Sequence, residues 1–125
     1  MRTIMRSIVA TLAAFSVLSI AGMASAGGGF ATTVTIKAEG TDLSGTVDSP
    51  RPLKCAKDRK IVVYKQKGRE QHPSTDRKIG MDTASLNGDR YEWSTGNTGI
   101  DGKFYARAPK TSQCQADNSR TVRTN

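Results

Sequence analysis

The only histidine of the chain, His72, stands two residues after Glu70, with Arg69 and Arg77 close to it along the segment "KGREQHPSTDRK". Imidazole, carboxylate and guanidinium are the parts of a ribonuclease-like acid/base set: one group takes a proton, another returns it, and the arginine holds a phosphodiester. Closeness along a polar loop does not supply fixed geometry, and no second proton-transfer group is apparent elsewhere in the chain. His72 is therefore expected to be a solvated loop residue, and a small secreted hydrolase built around it is the alternative. The chain has no Gly-x-Ser-x-Gly elbow and no glycine-rich loop ending in Gly-Lys-Ser or Gly-Lys-Thr. No catalytic residue is assigned.

Metal chemistry fares similarly. "MDTASLNGD" offers oxygen donors at Asp82, Asn87 and Asp89 beside a glycine, but the twelfth position from Asp82 is Trp93, where a calcium loop needs a bidentate glutamate. A hairpin turn is the expected role. Cys55, Cys114 and a single distant histidine lack the number and spacing of zinc ligands, so no metal and no cofactor is expected. The two cysteines have a different use. An even count in an exported chain favours a disulfide, and closing the intervening loop stabilises a small domain by about 4 kcal/mol on the chain-entropy model.

Charge is the remaining chemical signal. The formal net charge is +8, and residues 51–69 hold eight basic residues against the single acid Asp58. Such an excess attracts phosphate, anionic glycan or cell-envelope polymer. The competing explanation is a solvated edge strand whose lysines discourage edge-to-edge aggregation.

Export is expected from the N-terminus. Arg2 and Arg6 precede an uncharged apolar run from Ser7 to Met23, and Ala24-Ser25-Ala26 supplies small residues at both recognition positions, the pattern of a signal peptide cleaved after Ala26. The run is shorter than the roughly 20 residues of a spanning helix, and no second apolar segment follows. Residues 27–125 then form one domain, soluble and located outside the cytoplasm, in the medium or the periplasm and envelope.

The elements that must position these residues are strands. Short β-rich runs recur between clusters of Gly, Pro, Asn, Asp and Ser. "FATTVTIKA" sets Val34, Ile36 and Ala38 on one face and threonines on the other; "DLSGTV" follows and is closed by "DSPRP". "RKIVVYKQ" places Ile61 and Val63 on one face and Lys60, Val62 and Tyr64 on the other, and its apolar content on both faces predicts a central strand. "KGREQHPSTDRK" reads as an exposed loop before "IGMDTAS". "LNGDRYEWS" turns at Asn87-Gly88 and then alternates Tyr91 and Trp93 toward the core. "GKFYARAP" divides Phe104, Ala106 and Ala108 from Lys103, Tyr105 and Arg107, and "NSRTVRT" supplies a short last strand. About seven strands in this length predict an all-β, antiparallel sandwich of immunoglobulin-like or transthyretin-like type.

The order "SGTVDS", Cys55, "DRKIVVYK", "IGMDTASLNGDRYEW", "GKFYARAP", Cys114 resembles the carboxypeptidase regulatory-like, transthyretin-like family of β-sandwich domains, in its secreted bacterial single-domain form. The matching features are Gly45 and Val47 in the opening strand, the basic-apolar strand after Cys55, the D-T-x-x-x-N-G turn, and the F-Y-A-R strand before a cysteine. The resemblance implies an accessory, adhesion or scaffold role, although no catalytic module accompanies it for a regulatory domain to act on.

Pairing of the "RKIVVYKQ" and "GKFYARAP" strands would bring Lys60, Tyr64, Lys65, Lys67 and Arg69 beside Lys103, Tyr105 and Arg107 as an aromatic-basic surface for an anionic polymer or glycan. Nucleic acid is disfavoured for an exported chain with 6% aromatic residues and no RNA-recognition signature. The expected protein is thus a secreted, non-catalytic binding, adhesion or structural module, monomeric or weakly associating.

Overall fold

The computed structural model describes residues 28–125, so the expected signal peptide and its cleavage point lie outside the described residues. Ten strand segments and one short helix run in the order β1 (Thr33–Val34), β2 (Lys37–Glu39), β3 (Asp42–Asp48), α1 (Pro52–Cys55), β4 (Lys60–Lys65), β5 (Arg77–Thr83), β6 (Ser85–Asn87), β7 (Arg90–Asn97), β8 (Gly102–Ala108), β9 (Asp117–Asn118) and β10 (Val122–Thr124). They form two five-stranded sheets. The first has the order β1-β3-β7-β6 with β2 also on β3; the second has the order β10-β8-β4-β5 with β9 on β8. Every strand pair is antiparallel.

The count exceeds the expected seven because two runs are broken. The ladder of the "FATTVTIKA" run on β3 is interrupted at Thr35 and Ile36, where the Thr35 N–H still donates to the Thr46 carbonyl at 3.0 Å, and resumes in the same register as β2. The "IGMDTAS" run passes from one sheet to the other at the fully buried Ala84, so that β5 and β6 belong to opposite layers. Gly45 is required by the first of these breaks: a Cβ there would sit 1.9 Å from the Thr35 carbonyl oxygen and 2.8 Å from Trp93 Nε1. The indole N–H instead donates to that carbonyl at 3.1 Å, a partner that a buried tryptophan needs.

Alternation predicts the core well. Leu43, Val47 and Trp93 from the first sheet and Ile61, Val63, Phe104, Ala106, Ala108 and Val122 from the second are buried in one cluster, with Val34, Ile36 and Ala84. Large rings among small alanines let the two inner faces interdigitate, and each fully buried large side chain contributes about 1.5–3 kcal/mol of transfer free energy. The hairpin joining β6 and β7 turns at Gly88-Asp89, where Gly88 takes a φ of 69° that a side chain would oppose. Asp82, Asn87 and Asp89 gather no cation loop here: the Asp82 carboxylate accepts the Ser94 N–H at 2.7 Å, and the Asn87 amide donates to Glu92 at 2.8 Å.

Strand β4 lies between β8 and β5, as its two apolar faces predict, so the edge-protection reading of its lysines does not hold. Its upstream end is tied down twice. Cys55 and Cys114 form a disulfide with Cα atoms 5.6 Å apart, and both are buried. Next to it Arg59, counted in the sequence among the surface cations, is buried with 4% exposure. Its Nη1 donates to Thr32 Oγ1 and the Cys55 carbonyl, both at 2.9 Å. Its Nη2 donates to the carbonyls of Pro109 at 2.8 Å and Gln115 at 2.9 Å. Burial lowers the affinity of this guanidinium for its proton, yet arginine remains charged at any usable pH. The four acceptors come from four separate stretches of chain, which is why arginine, with its planar fork, stands here.

Candidate binding face

The outer face of the β10-β8-β4-β5 sheet is where the chemistry-bearing residues gather. Register places Tyr64 opposite both Tyr105 and Lys78, Val62 opposite Arg107, and Lys103 opposite Arg123. Strand alternation adds Lys60 to this face. Five cations therefore share it: Lys60, Lys78, Lys103, Arg107 and Arg123. The ion pairs among the described residues are Lys37–Glu39 and His72–Glu70, so none of the five is paired with a carboxylate. Lys103 and Arg123, opposite one another, are like charges in a geometry that costs stability.

The charge is segregated between the layers. The strands of the second sheet carry Lys60, Lys65, Arg77, Lys78, Lys103, Arg107 and Arg123 against the acids Asp82 and Asp117. Both acids are engaged by the first sheet, Asp82 with the Ser94 N–H and Asp117 with the Val34 N–H. The strands of the first sheet carry only Lys37 and Arg90 against Glu39, Asp42, Asp48 and Glu92. One outer face is thus cationic and the other mildly acidic.

The expected aromatic component is present but covered. Tyr64 and Tyr105 stack with ring centroids 5.3 Å apart and planes at 17°, forming a second small core with Val62. Tyr105 is fully buried and Tyr64 is 6% exposed, so the rings offer no open platform, contrary to the expected aromatic-basic surface. The cause lies in the segment 66–76, read from sequence as an exposed loop. Its polar side chains find partners on the sheet. Gln71 donates to the Ser119 carbonyl and Thr121 Oγ1, both at 2.9 Å, and accepts from Asn118 at 3.0 Å. Gln66 accepts from the Thr121 hydroxyl at 2.6 Å, and Lys103 Nζ donates to the Gly68 carbonyl at 2.6 Å.

Asp76 is the buried anchor of this strap. Its carboxylate accepts the Tyr105 hydroxyl at 2.6 Å, the His72 N–H at 2.7 Å and the Lys67 N–H at 3.0 Å. Burial pushes its proton affinity up, but the Tyr105 hydroxyl and the two backbone donors outweigh this and hold it below the ordinary aspartate value. Tyr105 is pushed well above the ordinary phenol value by burial, by donating to Asp76 and by the charge of that carboxylate. Because the Asp76 pKa is depressed on folding, its contribution is complete above the unfolded value, about 3.9, and is lost as pH falls through the lower folded value. Asp76→Asn is expected to lose about 1 kcal/mol at neutral pH, with the difference from wild type shrinking as the pH drops below roughly 4. Urea midpoints measured across that range check it; a difference independent of pH would contradict the role given to the charge.

The other residues singled out from sequence fall as follows. Lys67 and Arg69 lie exposed on the strap. Lys65 shares the inner side of β4 by alternation, its Cε running over Gly102, where a Cβ would stand 2.8 Å away. Arg107 donates to Asn118 Oδ1 at 2.7 Å. His72 Nε2 is 3.9 Å from Glu70 Oε1, and both side chains are more than half exposed, so the pair lacks rigid support. Lys78, and Arg123, which the sequence places in a tail away from any site, join the face only through pairings between distant strands. An open groove of about 920 Å³ lies on the opposite sheet, lined by polar side chains and charges of both signs together with Ile36, Leu86 and Trp93.

Among the described residues no helix is long and apolar enough to cross a membrane. Fold and face together define an all-β, disulfide-bonded, two-sheet domain with one cationic outer surface. Comparison with family models, curated proteins and solved structures yields no match to this chain.

Proposed function

We propose that this chain is an exported, non-catalytic β-sandwich module, of the immunoglobulin-like or transthyretin-like kind, that holds an anionic partner of the cell envelope or extracellular space against its cationic sheet. The observation that carries the reading is the segregation of charge. Five cations share one sheet face without an ion-paired carboxylate, two of them directly opposed, while the strand acids Glu39, Asp42, Asp48 and Glu92 lie on the other layer and Asp76, Asp82 and Asp117 are each taken up by hydrogen bonds. Self-repulsion of this kind costs stability and is relieved when an anion is bound. The signal-like N-terminus and the buried disulfide support export, since such bonds persist in oxidising compartments. The resemblance to carboxypeptidase regulatory-like domains supports an accessory role, and the exposed, loosely spaced pair of His72 and Glu70 offers little to a hydrolase.

Charge-matched variants test it. Lys78→Ser with Arg123→Ser is expected to weaken binding to an anionic polymer, whereas Lys37→Ser with Arg90→Ser, which removes the same charge from the opposite layer, leaves binding nearly unchanged.

A further inference from the structure

The chemistry of the face narrows the ligand. From the geometry we infer that the cationic sheet binds a linear acidic polysaccharide, read through its charges alone; the inference rests on the binding-module reading above and specifies its ligand. Three features carry it. First, the cations are dispersed over four strands, β10, β8, β4 and β5, rather than converging on one point. At roughly 4.8 Å between strands, and 3.3 Å per residue along them, the face spans about 14 Å by 13 Å. A small anion touches one such charge at a time, whereas a chain with repeated carboxylate or sulfate groups engages several, each further contact being made at high effective concentration.

Second, the aromatic pair that would stack bases is closed off. Tyr105 is fully buried beneath the strap and its hydroxyl is committed to Asp76. Single-stranded nucleic acid gains much of its affinity from such stacking, so a face without open rings gives it only the charge contribution. Third, apolar anchoring is meagre. Met81, opposite Val62, is the exposed large apolar side chain on this face, whereas the exposed Phe30, Leu53 and Leu86 lie outside its strands. Surface binding to a bilayer draws on a broad apolar face as well as on basic charge. The strap covers the centre of the sheet over Tyr64 and Tyr105, leaving Lys60, Lys78 and Arg123 exposed around it. A flexible acidic polysaccharide needs neither stacking nor insertion, and it can bend around the strap to reach them.

The test uses the cleaved, oxidised protein and four probes matched in charge concentration: a heparin fragment, polygalacturonate, oligothymidine, and vesicles of anionic phospholipid. Binding is followed by calorimetry or sedimentation over a series of salt concentrations. The expected result is binding of both polysaccharides, with log affinity falling linearly in log salt, and affinity for oligothymidine and vesicles weaker by at least about tenfold. Lys78→Ser with Arg123→Ser is expected to reduce the polysaccharide salt slope. Oligothymidine or vesicles binding as tightly as the polysaccharides would overturn the ligand class while leaving the binding-module reading in place. Failure of all four probes to bind at low salt would overturn both.

Discussion

Replacing Arg59 with alanine is expected to destabilise the fold by at least about 3 kcal/mol, a large share of the 5–15 kcal/mol typical of a domain. The guanidinium satisfies Thr32 Oγ1 and the carbonyls of Cys55, Pro109 and Gln115, and it is itself only 4% exposed. Removing it orphans these acceptors together, each unpaired buried acceptor costing about 1–3 kcal/mol before water or backbone movement relieves it. No carboxylate appears among its partners, so the loss comes from broken hydrogen bonds and lost packing rather than from a stranded counter-charge. Arg59→Lys retains the charge but offers a single ammonium in place of a planar fork, and is expected to recover only part of the loss. Urea midpoints at constant m measure both variants. An Arg59→Ala protein within about 0.5 kcal/mol of wild type, the range of an ordinary surface substitution, would show that the arginine network contributes little.

Loss of the Cys55–Cys114 bond is the second large effect. The bond joins the end of α1 to the segment after β8, across a sequence separation of 59 residues. Freeing a loop of that size gives the unfolded chain back about 4 kcal/mol on the entropy model, which at this domain size lowers the melting temperature by about 15 °C or more. Both sulfurs are buried, so reductant is expected to act slowly on the native protein and rapidly once it opens. Thermal unfolding of a Cys55→Ala, Cys114→Ala protein beside the oxidised form measures the shift. A difference below about 5 °C, or two alkylatable thiols in native protein from an oxidising medium, would contradict this account.

These two effects also show what could be read before the structure. The cysteine pair followed from even count and expected compartment, and the core faces followed from alternation, because a half-buried strand must repeat its apolar residues every second position: Val34 and Ile36, Tyr91 and Trp93, Phe104 and Ala106. Arg59 could not be distinguished from its basic neighbours, since its acceptors are mostly backbone carbonyls that leave no mark on composition. Asp76 was hidden in the same way. Its three donors, two of them backbone N–H groups, turn a polar segment into a strap, and a polar segment looks the same whether strapped or solvated. The candidate face was half legible. Lys60, Lys103 and Arg107 lie on it as their alternation within β4 and β8 predicts, but Lys78 and Arg123 join it only through pairings of β5 and β10. The Tyr64–Tyr105 stack was foreseeable as a neighbouring pair; its burial depended on where segment 66–76 folds.

The proposed function turns on whether the cations of one sheet act as a site or only add to net charge. The most direct measurement is the affinity of the two charge-matched double variants for one acidic polysaccharide in the same low-salt buffer, with wild type as reference. Lys78→Ser with Arg123→Ser removes two side chains from the candidate face; Lys37→Ser with Arg90→Ser removes two from the acidic layer. The account predicts a loss of about tenfold for the first pair, with a salt slope smaller by about two, and less than about twofold for the second. Equal losses in the two proteins would contradict it, because affinity would then follow the total charge of the molecule and not the face that carries it.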